Sequence, residues 1–183
     1  MGWPELIILV ILAIGVLFLM NWGKKKGDDS RSARLMEKYK EMTAEEFDAI
    51  ADDELVDAVV CRVLGRAAEQ RRPDPVRELA ALEHGSTVVY AVWAVCREMA
   101  AGDYATLTRT ATWEVADLAA DGFEEIGAPA CAAAWRTLLT GEAADLTEAE
   151  AAFHRAVESE CPLTLCVPYI RDHASEFIDT PAE

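Results

Sequence analysis

The feature that most constrains this chain is Leu6–Met20, a run of fifteen apolar residues without a charge. Trp3 and Trp22 bracket the run, and three lysines follow it: Lys24, Lys25 and Lys26. As a helix, the stretch between the two tryptophans would extend about 30 Å, which is the thickness of a bilayer's hydrocarbon core. Tryptophans at both interfaces and lysines on one side are typical of a single-pass membrane helix. The sequence therefore predicts a transmembrane anchor.

Two other interpretations of the apolar run are open. A cleaved signal peptide would need a positive segment before the run and small residues at a cleavage site, whereas here Glu5 precedes the run and Leu19–Gly23 closes it. A helix buried in a soluble core is the other alternative. Because the lysines lie only after the run, we favour an uncleaved anchor in the inner or plasma membrane, with its N-terminus outside and the remaining chain in the cytoplasm.

The chain after the anchor is strongly acidic. The whole sequence has 17 basic and 33 acidic residues, and leaving out Glu5 and the three lysines leaves 14 basic and 32 acidic residues, a formal charge of −18. Non-specific binding to nucleic acid requires Lys and Arg to neutralise phosphates, so we expect no direct nucleic-acid binding. The apolar content is too high for acidic disorder. We expect this part of the chain to attract a basic protein partner.

Helical patterning covers nearly all of the remaining sequence. We divide the chain into a transmembrane anchor at 1–23, a basic-then-acidic juxtamembrane linker at 24–33 and an acidic helical domain at 34–183. The domain is predicted to be all-α and compact, with about seven helices. The segment Arg71–Pro75 carries two prolines and is predicted to be a loop.

Helix boundaries are predicted from local signals. Thr43 and Glu46 have the spacing of a capping box, in which each side chain bonds the other residue's backbone N–H. Ser86 is expected to cap a long apolar helix that ends at Gly102. Further helix starts are expected at Asp52 or Asp53, at Thr112, at Pro129, at Leu146-Thr147 with Glu150 as a second capping box, and at Pro168 or Tyr169.

The acidic residues form three blocks without an intervening basic residue. The first block consists of Glu45, Glu46, Asp48, Asp52, Asp53, Glu54 and Asp57, the second of Glu114, Asp117, Asp121, Glu124 and Glu125, and the third of Glu142, Asp145, Glu148 and Glu150. A single block is explained by a solvated helix face and by the preference of carboxylates for helix N-termini. Together the blocks predict a negative field that steers a basic partner, and we take the first two as the partner-binding residues.

A candidate zinc set has the spacing His-x6-Cys-x4-Cys-x6-His and consists of His154, Cys161, Cys166 and His173. Zinc binds such thiolates and imidazoles, although its usual ligand spacings are shorter. Core cysteines and surface histidines are the alternative, and we expect cytoplasmic cysteines to be reduced. The sequence has no Gly-rich phosphate loop, nucleophile elbow or His-Glu-x-x-His motif. We expect a non-enzymatic protein without a cofactor, with a zinc- or thiol-dependent enzyme as the weaker alternative.

A series of short motifs runs from Leu55 to Leu139. In order, they are Trp93 with Glu98-Met99, Gly102-Asp103-Tyr104, Trp113-Glu114, Ala119–Phe123 and Ile126-Gly127-Ala128. This order resembles a family of all-helical bacterial domains of unknown function that includes a DNA-mimic protein. The family's glycine turn carries Asn-Gly-Gly-aromatic followed by Gln and another aromatic residue. Here Ala101–Tyr104 occupies the matching positions, and no Gln-aromatic pair follows.

The resemblance implies a compact helical domain. For the mimic member, it implies an acidic surface that imitates DNA phosphates and occupies the DNA-binding face of a transcription factor. Occupying a nucleic-acid-binding protein in this way is therefore the alternative function for the present chain. Trp93, Trp113 and Trp135 fall on apolar helix faces and are expected in the core.

Overall fold

The computed structural model describes residues 32–69, 75–141 and 145–179, and these residues are all-helical. Ten α-helices are present in these ranges: α1 (residues 32–39), α2 (Ala44–Ala49), α3 (Asp52–Ala68), α4 (Pro75–Leu79), α5 (His84–Ala101), α6 (Tyr104–Leu107), α7 (Ala116–Glu125), α8 (Pro129–Thr140), α9 (Leu146–Glu160) and α10 (Pro162–Asp172). Two 3₁₀ turns, Ala111–Val115 and Ala174–Glu176, complete the described secondary structure.

The predicted anchor and most of the linker lie outside these ranges, as does most of the predicted loop after residue 69. Within the part of the chain that the structure describes, no helix combines the length and the hydropathy needed to cross a bilayer.

Helix α5 is the centre of the core. It packs against α3, α7 and α10, and its buried face includes Val89, Val92 and Val95. Gly122 allows α7 to approach closely, because a Cβ at this position would lie 3.1 Å from a methyl group of Val92. The apolar run of α5 is therefore explained by burial on several sides.

A second part of the core lies among α7, α8 and α9. Trp135 is fully buried, its ring centre is 5.2 Å from that of Phe153, and its indole N–H donates to the Ala116 carbonyl at 2.7 Å. A hydrogen bond of this kind satisfies the one polar group that burial of a tryptophan would otherwise strand. The prediction for Trp135 is confirmed.

The other two tryptophans differ from their prediction. Trp93 is only half-buried, and Trp113 is 39% exposed, with its ring edge-on to Tyr104 at 5.9 Å between ring centres. Trp113 lies in a 3₁₀ turn, where the helical period that placed it on an apolar face does not apply. Its assignment to the core was wrong.

The all-α prediction is confirmed, but seven helices was too few for the described ranges. Helix α6 is only four residues long, which is too short for hydrophobic periodicity to reveal. The helix predicted from Thr112 begins as a 3₁₀ turn and continues as α7 to Glu125, with Gly122 inside the helix.

Several predicted boundaries are confirmed. The Thr43–Glu46 capping box is present, with the Glu46 backbone N–H donating to the Thr43 hydroxyl at 3.3 Å and the Thr43 N–H donating to the Glu46 carboxylate at 3.0 Å. Gly102 ends α5, and Pro129 lies in the first turn of α8.

Other predicted caps are wrong. Asp52 and Asp53 lie within the first turn of α3, and Ser86 is fully buried inside α5, which begins earlier at His84. The N-cap of α9 is Asp145, whose carboxylate accepts from the Thr147 N–H at 2.9 Å. The observed N-caps are Ala51, Glu83 and Asp145, one to three positions before the predicted ones, and of these three only Asp145 caps its helix with a side-chain hydrogen bond.

The last helix starts six residues before its predicted position. It begins at Pro162, directly after Cys161, whose left-handed φ of 49° separates α9 from α10. Pro168 lies inside α10 and does not begin it. Because proline has no N–H, the helical hydrogen bond to the Thr164 carbonyl cannot form at this point.

Candidate protein-interaction site

A cleft of about 570 Å³ lies between α3 and α10, with α5 behind it. Its apolar lining is formed by Val56 of α3, Trp93 of α5, and Leu163, Val167 and Pro168 of α10. Leu163 is 39% exposed, although such side chains are usually buried. The cleft therefore presents apolar surface, including an indole ring, to solvent.

Carboxylates of the first acidic block line the same cleft. Asp52, Asp53 and Asp57 all contribute to its lining and are exposed. Asp53 and Asp57 are one helical turn apart on α3, so they lie on the same helix face. The sequence predicted these residues as partner-binding, and the structure places them beside apolar surface.

One of the three carboxylates already has a cationic partner. The Arg171 guanidinium donates to Asp52 at 2.9 Å and 3.2 Å, and also donates to the backbone carbonyls of Phe47 and Ile50. Arg171 thus joins the end of α2 to the start of α3. Within the described ranges, Asp53 and Asp57 form no ion pair, so their charges are left for solvent or a partner.

Trp93 has a cation on one side. The Arg97 guanidinium carbon lies 5.0 Å from the centre of the indole, within the range of a cation–π interaction, and Tyr90 lies on the same helix at 5.8 Å between ring centres. These neighbours restrict the orientation of the half-buried indole. A fixed aromatic surface is a common anchor point in protein interfaces.

Some of the other carboxylates of the first acidic block form hydrogen bonds within the fold. Glu46 forms the α2 cap, and the hydrogen bonds from the Thr43 backbone and side chain lower the pKa of its carboxyl. Glu54 accepts a hydrogen bond from Tyr39 at 3.3 Å. Glu45 and Asp48 are exposed on α2. The block is thus divided between helix capping, one tertiary contact and the cleft.

The second acidic block is more fully compensated than its sequence suggested. Asp121 and Glu124 both bind Arg136 of α8, and this contact lowers the pKa of Glu124. Glu125 accepts from His84 at 2.9 Å and from the Tyr169 hydroxyl at 3.4 Å. Glu114 and Asp117 are exposed. Long-range partners of this kind cannot be found from local charge patterning.

The third block serves α9 and its neighbours. Asp145 caps the helix, Glu148 pairs with Arg155 at 2.7 Å, and Glu150 accepts the Tyr104 backbone N–H at 3.1 Å. Glu142 lies outside the described residues. The predicted capping role of Glu150 is replaced by a contact with the start of α6.

The four residues of the candidate zinc set have different environments. Cys166 is fully buried and burial raises the pKa of its thiol to about 12, whereas Cys161 is exposed. His173 stacks on Tyr169 at 4.3 Å between ring centres and His154 lies 6.3 Å from the Phe153 ring centre. Within the described ranges, no group of His, Cys, Asp and Glu has a metal-binding arrangement. The five cysteines are free thiols.

Several residues of the cleft were not identified from the sequence. Val56, Leu163 and Val167 resemble ordinary core residues in a one-dimensional pattern, and the sequence around Pro168 predicts a helix start there. The cleft forms because α3 and α10, separated by about a hundred residues of chain, pack side by side on α5. Pro168, a proline inside an otherwise helical stretch, is the sequence signal that could have drawn attention to this part of α10.

Comparison with known proteins identifies no relative: no protein-family model, curated protein or solved structure matches this chain. Over the residues that the structure describes, the class that the fold defines is an all-helical, acidic domain that carries the solvent-exposed apolar cleft described above. The resemblance of Leu55–Leu139 to the family with the DNA-mimic member stays a prediction.

Proposed function

We propose that this protein is a membrane-anchored, non-enzymatic interaction domain that recruits a basic protein partner. The observation that carries the proposal is the combination, in one cleft, of exposed apolar surface with the uncompensated carboxylates Asp53 and Asp57. Charged residues are usually depleted from the core of an interface and set its orientation from the rim. A partner with Lys or Arg beside an apolar residue would be complementary to this arrangement.

Membrane anchoring is supported by the sequence alone, through Leu6–Met20, its flanking tryptophans and Lys24–Lys26. Cell fractionation of the full-length protein tests it. We expect the chain to stay with membranes in alkaline carbonate and to be released by detergent. Release by carbonate alone would contradict a spanning anchor.

The recruitment proposal is tested by affinity capture with full-length protein at low and high salt. The test variant is Asp53→Asn/Asp57→Asn, and the matched control is Glu158→Gln/Asp172→Asn, which removes the same charge from exposed positions outside the cleft. We expect a basic protein to bind the wild type and the control at low salt, and to be lost with the cleft variant and at high salt. Equal capture by both variants would contradict the proposal.

Duplex DNA added to the captured complex tests the alternative function. If the partner is a nucleic-acid-binding protein and DNA displaces it, the domain acts as a DNA mimic. If DNA has no effect, the domain recruits its partner through another surface of that partner.

A further inference from the structure

We infer that the cleft between α3 and α10 binds an amphipathic helix of a partner protein, one that carries an apolar stripe and Lys or Arg residues one turn apart along its edge. This inference rests on the proposed function and specifies the chemistry of the partner segment. It concerns the cleft itself and is independent of the other acidic residues.

The shape of the cleft favours a helix. Residues of α3 and α10 form two sides of the lining and Trp93 of α5 completes it, and an apolar groove between helices is a common binding site for an amphipathic partner helix. Leu163 and Val167 are one turn apart on α10, as Asp53 and Asp57 are on α3. The side chains along each wall are therefore spaced about 6 Å apart. A helix with side chains at four-residue intervals matches both walls.

The hydrogen-bonding character of the cleft decides the charge of its occupant. Asp53 and Asp57 are exposed acceptors in the lining, and no basic residue is among the described residues that line the cleft. Arg171, which is near the start of α3, is already bound by Asp52 and two backbone carbonyls. The side of the cleft is therefore rich in acceptors, which complement the N–H groups of Lys or Arg.

The apolar part of the cleft determines which uncharged residues the bound segment must carry. The half-buried indole of Trp93, which has Arg97 and Tyr90 as neighbours, lines the cleft together with Val56 and Leu163. A purely basic, flexible segment would leave this surface in water. A segment with large apolar residues on one face covers it, and burial of that surface supplies the favourable free energy.

The test is a selection from a library of random peptides long enough for about four helical turns, using full-length protein as the target. Counter-selection uses Thr164→Arg, which places a cationic side chain from an exposed position into the cleft, beside Asp53 and Asp57. Thr137→Arg, at an exposed position on α8, is the matched control with the same change of charge. Circular dichroism and thermal unfolding check that both variants fold.

We expect peptides enriched on the wild type and on Thr137→Arg to carry Lys or Arg at positions i and i+4 beside a stripe of large apolar residues. Their affinity for Thr164→Arg should fall at least about tenfold. Leu163→Ala, which removes an exposed side chain, should weaken the same peptides more than Asp172→Asn does. Helical content of the bound peptides should rise on binding, as measured by circular dichroism.

Four results would overturn the inference. Enrichment of basic peptides without an apolar stripe would still support the recruitment of a basic partner. It would contradict the inference that the bound segment is an amphipathic helix. Enrichment that is equal on Thr164→Arg would place binding elsewhere. Absence of any peptide enriched over the blocked variant would remove the cleft as a site, whereas the proposed function is judged separately by the capture experiment. If the chain itself self-associates through the cleft, sedimentation will show a dimer that Thr164→Arg dissociates, and this also contradicts the inference.

Discussion

The two ends of helix α3 use charge in opposite ways. At the amino end, Asp53 and Asp57 are exposed, form no ion pair within the described residues and border an apolar cleft. At the carboxyl end, the Arg62 side chain is 5% exposed and pairs with Asp179, which also accepts from Arg66 at 3.1 Å. A buried charge must be compensated, but an exposed one need not be. Charge at the carboxyl end therefore serves the fold, and charge at the amino end is available to a partner.

The buried end ties together distant parts of the chain. Besides its arginine contacts, Asp179 accepts the Met42 backbone N–H at 2.7 Å, and Arg66 donates to Glu78 at 2.9 Å. Arg62 also donates to the Ser86 hydroxyl at 3.4 Å, while its Nε has no partner among the described residues. Next to Ser86 in the chain, Gly85 leaves room for the fully buried Phe177, because a Cβ at position 85 would lie 2.8 Å from the Phe177 ring. The last described residues are thus part of the domain core.

The largest effect is expected from Asp179→Asn. This change removes the carboxylate that compensates a buried arginine, and we expect the free energy of unfolding to fall by about 2–3 kcal/mol, below the range for a fully buried pair because Asp179 is 29% exposed. Urea denaturation measures it. Asp172→Asn, an exposed change on α10, is the control and should be near neutral. A similar small loss for both variants would show that the arginine is satisfied in another way.

The next effect is expected from Gly65→Ala, at the same end of α3. A Cβ here would lie 2.6 Å from the Met36 carbonyl oxygen, so α1 must move away from α3. Such overpacking should cost about 1–3 kcal/mol in urea denaturation. At Gly102 the nearest atom to an added Cβ is 3.4 Å away, so Gly102→Ala is a matched control with little expected loss. Equal stability of the two variants would contradict the close helix crossing.

A smaller effect on the stability of the fold is expected when the pH is lowered. Burial acts to raise the pKa of Asp179, but hydrogen bonds from Arg62 and the Met42 backbone outweigh it and lower the pKa below its usual range. A carboxyl with a lowered pKa in the folded state stabilises the protein above its ordinary pKa of about 3.9, and this contribution is lost as the pH falls through the folded-state pKa. Between neutral pH and about pH 5, partial protonation of crowded carboxylates should instead relieve repulsion.

The melting temperature is therefore expected to pass through a maximum at mildly acidic pH and to fall at lower pH. In Asp179→Asn the fall should be weaker, because the variant has no carboxyl to protonate at that position. A steady decline from neutral pH in the wild type would mean that repulsion among the carboxylates is already offset by the basic residues.

Local signals in the sequence predicted more of the fold than of the site. The Thr43–Glu46 box, Pro129 and Gly102 act within one turn, so their effects could be identified without tertiary information. Helix α6 and the interior position of Pro168 in α10 depend on packing against α5, which overrides local preference. Asp53 and Asp57 were identified as acidic, but which carboxylates would find arginines was decided by long-range contacts such as Arg136 with Glu124.

The smallest effect on stability is expected from Asp53→Asn/Asp57→Asn, at the exposed end of α3. Asp53 loses a favourable interaction with the helix dipole, while repulsion between the two carboxylates is relieved, so the free energy of unfolding should change by no more than about 0.5 kcal/mol. Binding of a basic partner should nevertheless fall steeply. Urea denaturation and the capture experiment, done on the same preparations, measure the two quantities. A loss of stability comparable to that of Asp179→Asn would show that these carboxylates serve the fold, and the contrast between the two ends of α3 would disappear.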